Sequence, residues 1–221
     1  RAGRPPMAAM TPAQAREFYD IGGPMLDLQP APHVDRVHDF TIPARDGHAM
    51  PARLYAPRSD KPLPVLLYIH GGAFSLCSKD THRGIARASA WGGQYLVFNI
   101  DYRLAPRHRY PAAIEDACLA YRWVADRCAQ YGGDPQRIVV AGESAGGNLA
   151  AVCALLARDA RLPLALQLLI TPGTTAHMDT ASHKLFANGF LLDSDIIVPH
   201  KDELLHVATA TALGMAEAGY R

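Results

Sequence analysis

A serine framed by small residues, Gly142-Glu143-Ser144-Ala145-Gly146, follows the apolar run Arg137-Ile138-Val139-Val140-Ala141 and precedes a helical run from Asn148 to Arg158. A serine at such a strand-to-helix turn is forced into strained backbone angles, so the residues two before and two after it must be small. The turn lifts Oγ clear of the sheet, and the helix N-terminus behind it favours developing negative charge. Those residues suit nucleophilic acyl transfer, which also needs donors aimed at a carbonyl oxygen as it becomes an oxyanion. His70-Gly71-Gly72-Ala73-Phe74 directly follows another apolar run, 144 − 70 = 74 residues before the serine. Without side chains, Gly71 and Gly72 let backbone N–H groups approach a ligand closely, and the N–H of Ala145 would complete the hole. A GxSxG pentapeptide alone arises often by chance, and His-Gly-Gly alone is a plain turn. The strand before the serine, the helix after it and the pairing of the two segments make the chemical reading the stronger one.

The elements that must position these residues are legible in the hydrophobic pattern. Thr11 is placed to cap a first helix, with Pro12 at its first position and Gln14 at capping-box spacing. Ala15, Phe18, Tyr19, Met25 and Leu26 supply its apolar residues, and Gly22-Gly23-Pro24 ends it ahead of the last two. After the Pro-rich link Gln29-Pro30-Ala31-Pro32, Val34 to Ile42 and Ala52 to Ala56 read as strands around the turn Arg45-Asp46-Gly47. Val65–Ile69, Tyr95–Ile100, Arg137–Ala141 and Ala165–Ile170 then read as four buried strands. Between the second and third of these, Ile114, Ala117, Cys118, Tyr121, Val124, Ala125 and Cys128 recur at helical spacing, and Gly132 stops that helix. Strand-helix alternation of this kind predicts an α/β fold, a mostly parallel sheet with helices on both faces.

Composition bounds the class. The chain has 221 residues, with 22 Lys+Arg against 21 Asp+Glu, and a net charge of +1 offers no electrostatic footprint for nucleic acid. With 49% hydrophobic and 19% charged residues it is an ordinary globular sequence with one sizeable core. No apolar run approaches the roughly 20 residues that span a bilayer, and the N-terminus lacks the apolar stretch of a signal peptide, so a cytoplasmic protein is expected. Cys77, Cys118, Cys128 and Cys153 lie far apart, without CxxC or metal-ligand spacing; they read as reduced core residues, and no metal site is expected.

The sequence resembles the hormone-sensitive-lipase-like (bacterial family IV) carboxylesterases of the α/β-hydrolase fold. The resemblance rests on His70-Gly71-Gly72-Ala73-Phe74, Asp101-Tyr102-Arg103-Leu104-Ala105-Pro106, Tyr110-Pro111-Ala112-Ala113-Ile114-Glu115-Asp116-Ala117 and Gly142 to Ala150, in the family's order and at about its spacings, and runs from roughly Thr11 to Leu192. It implies a serine esterase acting on small short-acyl esters without metal or organic cofactor, with Ser144 as nucleophile and an oxyanion hole built around Gly71, Gly72, Ala73 and Ala145. The family's first motif usually reads His-Gly-Gly-Gly, so Ala73 puts a methyl group at the mouth of the hole while keeping a backbone N–H. The likeness further implies that residues 1–32 are a cap helix, 33–176 the hydrolase core, 177–197 part of a helical cap, and 198–221 the acid loop and following helix. Asp101 and Arg103 are expected to brace the loop near the serine rather than to react. A homodimer is compatible with the family.

The remainder of a catalytic triad is less complete. The order in this fold is Ser, then Asp or Glu, then His, and 221 − 144 = 77 residues follow Ser144. By the resemblance Asp202 is the preferred acid, with Asp195 as its rival. The interval from Phe190 to Asp202 is too short for the family's cap, so an internal stretch and a C-terminal tail are expected to be missing. His200 and His206 read as surface residues, and His177 and His183 as cap residues; the catalytic histidine is expected beyond Arg221. The competing reading is a non-catalytic ligand-binding protein on the same fold, as in the plant gibberellin receptors, which keep the serine and lose the histidine. Deacetylation or lactone opening would use the same parts.

Overall fold

The computed structural model describes residues 9–92, 94–174 and 179–189. An N-terminal helix, α1 (Pro12–Gly22), starts from the expected cap: Thr11 accepts from the Gln14 amide, and the Gln14 side chain returns to the Thr11 amide. A short 3-10 turn, Gly23–Leu26, follows, and it leaves Met25 and Leu26 79% and 88% exposed, so neither joins a buried stripe.

Among the described residues six strands form one sheet: β1 (Arg36–Pro43), β2 (Ala49–Ala56), β3 (Leu63–Ile69), β4 (Leu96–Ile100), β5 (Gly133–Glu143) and β6 (Leu166–Ile170). Their spatial order is β1-β2-β4-β3-β5-β6. The β1–β2 and β2–β4 pairings are antiparallel and the rest are parallel, which gives the mostly parallel sheet expected. The crossovers from β3 to β4 and from β4 to β5 carry α2 (Arg83–Ala90) and α3 (Ala112–Arg127). Two further helices, α4 (Ala145–Asp159) and α5 (Ala181–Leu185), follow β5 and β6.

Period-2 alternation sorts the strand residues between two cores. Val65, Leu67 and Ile69 of β3 join Phe98, Val140, Ile114, Tyr121 and Leu149 under α3 and α4, whereas Leu66 and Tyr68 join Tyr55, Val97, Val139, Ala86 and Ala90 under α2. Helices therefore cover both faces. Of the apolar positions read for this helix, Ile114, Ala117, Cys118, Tyr121 and Val124 are buried in α3, Ala125 is half-buried and Cys128 is buried in the 3-10 turn Cys128–Tyr131 that prolongs it, which Gly132 ends at φ +96°. Helix α2 is absent from the hydrophobic pattern because its inward residues are alanines, Ala86 and Ala90, which pack closely but give no apolar signal.

The fourth strand departs from expectation. Strand β6 is not covered on both faces: Leu166 and Leu168 are 56% and 48% exposed, and among the described residues its one sheet neighbour is β5. An apolar run carries no information about whether its second neighbour is in place. The four cysteines are free and buried, as read. Among the described residues no helix is long and apolar enough to cross a membrane.

Candidate active site

Sheet order brings the two motifs together. Strand β3 lies between β4 and β5, and the chain leaves β3 toward one face and enters β5 from the other, so a crevice opens beyond the carboxyl ends of these strands. Ile69 and Gly142 are partners in the β3–β5 ladder, which sets His70 and the loop after it beside the turn that carries Ser144.

Ser144 stands at φ +53° and ψ −117°, a conformation that L-residues reach only under strain of about 1–3 kcal/mol. The surroundings hold it there. Its N–H donates to the Ile170 carbonyl (2.9 Å), and its carbonyl accepts from the amides of Asn148 (3.1 Å) and Gly173 (3.2 Å). Asn148 also donates from its side chain to Gly173, so the end of β6 is tied to the turn. The glycines two before and two after the serine are required by contact: a Cβ on Gly142 would lie 2.1 Å from the Gly146 carbonyl oxygen, and one on Gly146 would lie 2.1 Å from that of Ile69. Ser144 remains partly exposed at the head of α4, and the Ala145 amide, in the first helical turn, has no intrahelical acceptor.

The loop after β3 is a run of left-handed residues: Gly72 at φ +112°, Ala73 at +51° and Phe74 at +58°. The Gly72 carbonyl accepts from the amides of Ser75 and Leu76, which curls the loop so tightly that a Cβ on Gly72 would meet the Leu76 oxygen at 2.2 Å. The amides of Gly72 and Ala73 take no part in the backbone hydrogen bonds of this turn. His70 is fully buried; its Nδ1–H donates to the Gly71 carbonyl at 2.7 Å, and burial drives its pKa down to about 3, so the ring is neutral. Tyr102 stacks on that ring at 4.4 Å and donates to the His70 carbonyl, fixing the loop from behind.

Asp101 holds the segment that follows this loop, whereas Arg103 ties the chain after β4 to α3 and to the β1–β2 turn. The Asp101 carboxylate accepts from the Lys79 amide, while burial pushes its pKa up. Arg103 donates from its side chain to both oxygens of the fully buried Asp116 and reaches Asp46 at 2.6 Å. Two contributors carried no sequence signal. Arg16 of α1 donates to the carbonyls of Ser75 (2.8 Å) and Ala105 (2.6 Å), which clamps the N-terminal helix to the loop bearing Ala73. His82, ahead of α2, pairs through Nε2 with Glu143 Oε2 at 3.0 Å, and that bond holds the glutamate below its ordinary pKa. Such contacts span 59 to 89 residues of chain and have no local periodicity to betray them.

Asp202 and its rival Asp195, the candidates for the acid, lie outside the described residues, as do His177, His200 and His206. His183 is described: it lies on α5, its Nδ1 bonded to Thr180 Oγ1 at 2.7 Å. Among the described residues no group of three or more His, Cys, Asp and Glu side chains is disposed to hold a metal ion. A cleft of about 510 Å³ lies at the opposite end of the sheet, against the first residues of β3 and β4, Leu63 and Leu96. It is remote from Ser144.

Known proteins resemble this chain in sequence and fold. A family model described as the alpha/beta hydrolase fold (Abhydrolase_3) matches residues 66–210. The carboxylesterase NlhH of Mycobacterium tuberculosis is 46% identical over 192 residues, which is 83% of this chain and 60% of the relative. The ethyl acetate hydrolase of Pseudomonas putida is 34% identical over 197 residues, 87% of this chain and 62% of the relative. An esterase of Pyrobaculum calidifontis superposes with a TM-score of 0.85 at 35% identity, covering 95% of this chain and 69% of that one. A thermostable carboxylesterase cloned from a metagenomic library superposes at 0.84, also at 35% identity, covering 92% of this chain and 70% of that one. The chain thus spans about 60% of the length of these two curated relatives. With its fold, and with sequence likeness that runs through both the serine turn and the glycine-bearing loop, the chain belongs to the hormone-sensitive-lipase-like carboxylesterase family of the α/β-hydrolase fold.

Proposed function

We propose that the protein is a serine carboxylesterase that hydrolyses small, short-acyl esters through an acyl-enzyme. The observation that carries this reading is Ser144, held at φ +53° at the head of α4 beside the loop of Gly71, Gly72 and Ala73. In this reading Ser144 Oγ attacks the ester carbonyl and passes its proton to a histidine base. The amides of Gly72, Ala73 and Ala145, with Gly71 shaping their approach, stabilise the oxyanion. The carbonyl re-forms as the alcohol leaves with the proton returned by the base. A water molecule, deprotonated by the same base, then attacks the acyl group and releases a carboxylic acid and free Ser144. Asp202 is the residue proposed to orient the histidine, which is proposed to lie in chain beyond Arg221. Residues 1–32 and 177–197 are proposed as parts of a cap over the acyl group. The exposed Ile21 and Met25, which line a groove of about 290 Å³ beside α1, support that reading, because apolar surface of this kind gains by being covered.

A fluorophosphonate probe tests the proposal. It should label the protein once, at Ser144 by peptide mapping, and the label should vanish in Ser144→Ala, while p-nitrophenyl acetate and butyrate are turned over faster than longer esters. A complete protein that binds such esters without labelling or turnover would instead be a ligand-binding member of the fold.

A further inference from the structure

We propose that His82 is a positioning residue for this site: it holds the Glu143 carboxylate in a hydrogen bond where that group packs on Gly71, so that the charge is engaged by a donor rather than left free beside the nucleophile and the oxyanion hole. The inference rests on the esterase reading for its kinetic consequence but not for its geometry.

Glu143 is the last residue of β5 and immediately precedes Ser144, so a carboxylate is covalently tied to the turn where a negative tetrahedral adduct would form. Left free, it would oppose that charge at short range in a partly dehydrated crevice. It is not free. Its Oε2 meets His82 Nε2 at 3.0 Å. Its Oε1 and its backbone carbonyl pack on Gly71, where a Cβ would lie 3.3 and 3.0 Å from them. An ionised carboxylate only accepts, so Nε2 carries the proton and donates it.

The histidine is fixed on its other side. Nδ1 lies 2.9 Å from Thr81 Oγ1, and that hydroxyl is itself bonded to the backbone of Ser78 as both donor and acceptor. The ring also lies against Tyr68 and His70, with centroids 6.3 and 5.7 Å away. The His82 side chain is 16% exposed and that of Glu143 39% exposed, so the histidine is the anchored member and the glutamate the held one. The groups facing the pair are Thr81, Tyr68 and His70 around the ring, and Gly71 with the phenols of Tyr19 and Tyr68 near the carboxylate; burial raises the pKa of both phenols, with the carboxylate next for Tyr68 and behind Cys77 for Tyr19. His82 thus ties the start of α2 to the end of β5 across the oxyanion loop, through a contact 61 residues apart in sequence.

The test compares His82→Ala, His82→Gln, Glu143→Gln and the double variant His82→Ala/Glu143→Gln. Gln places an amide N–H close to where Nε2 lies. With p-nitrophenyl acetate, His82→Ala should lower kcat about tenfold with KM within about twofold, and His82→Gln should recover most of that loss. The double variant should also recover, because it removes the charge that His82→Ala sets loose. Equal losses in the Ala and Gln variants, a loss confined to KM, or additive losses in the double variant would each overturn the proposal. Carbon-13 titration of the Glu143 carboxyl reads the geometry without turnover: its pKa should rise toward the ordinary glutamate value in His82→Ala. If the wild-type protein neither hydrolyses nor labels, the esterase reading falls and this titration alone decides; an unmoved Glu143 pKa would then overturn the positioning role. Should His82→Ala not fold, His82→Phe, which fills the space of the ring without a donor, gives the same two readouts against His82→Gln and wild type.

Discussion

Gly146→Ala subjects the spacing between the serine turn and the oxyanion loop to a direct test. A Cβ at this position would lie 2.1 Å from the Ile69 carbonyl oxygen and 2.4 Å from that of His70, against 3.4 Å for the start of ordinary contact. The first turn of α4 and the end of β3 must therefore separate by about 3.4 − 2.1 = 1.3 Å. Both obstacles are backbone atoms, at the end of the central strand β3 and just after it, so no side chain can swing aside. Overpacking of this kind costs roughly 1–3 kcal/mol of stability. A displacement of about 1 Å between nucleophile and oxyanion donors costs on the order of 100-fold in rate. The expected result is a fall in kcat of about two orders of magnitude, with a stability loss of about 2 kcal/mol by urea titration. Gly47→Ala is the control: nothing lies within 4 Å of its Cβ and it sits in the β1–β2 turn, but its φ of +84° means alanine there should cost about 1 kcal/mol and leave kcat unchanged. A Gly146→Ala protein retaining kcat within about threefold of wild type would refute the claim that this spacing is set by direct backbone contact.

Other perturbations address the supports. Arg103→Met strands the fully buried Asp116 without its guanidinium and should cost about 3–5 kcal/mol in a urea titration at pH 7. Ala73→Gly relieves a left-handed alanine at φ +51°, a gain of about 1 kcal/mol that the entropy of an unfolded glycine offsets almost fully; stability should stay within about 0.5 kcal/mol while kcat/KM rises for esters of bulky alcohols. Neutral, buried His70 has a folded pKa of about 3 against 6.5 when unfolded, so unfolding takes up a proton between those values. Its contribution to stability is complete above pH 6.5 and declines as pH falls toward 3, by up to about 1.4 kcal/mol per pH unit, and the His70→Asn protein should lack that slope in urea midpoints measured across the window.

Much of this architecture follows from short stretches of chain. Helix α1 could be capped from Thr11, Pro12 and Gln14 because a capping box is a local set of hydrogen bonds. Helix α3 and strands β3 and β5 follow from the periodicity of their apolar residues, and the glycines beside Ser144 follow from the steric demands of one sharp turn. Helix α2 escaped because alanines bury little area each, and with it escaped His82, whose identity as a pair for Glu143 depends on where α2 is laid against the sheet.

The sequence by itself determined that a serine would stand at a strand-to-helix bend and that a glycine-bearing loop would follow another buried strand, because backbone sterics and hydrophobic period act over a few residues. Only the tertiary structure decided that these lie side by side: the register of Ile69 with Gly142 and the placing of β3 between β4 and β5 are properties of the whole sheet. The same holds for the Arg16 clamp, the His82–Glu143 pair and the exposure of Leu166 and Leu168 on β6. Each depends on which distant surface meets which, and the free energy of that choice is spread over the packed core rather than written in any one segment.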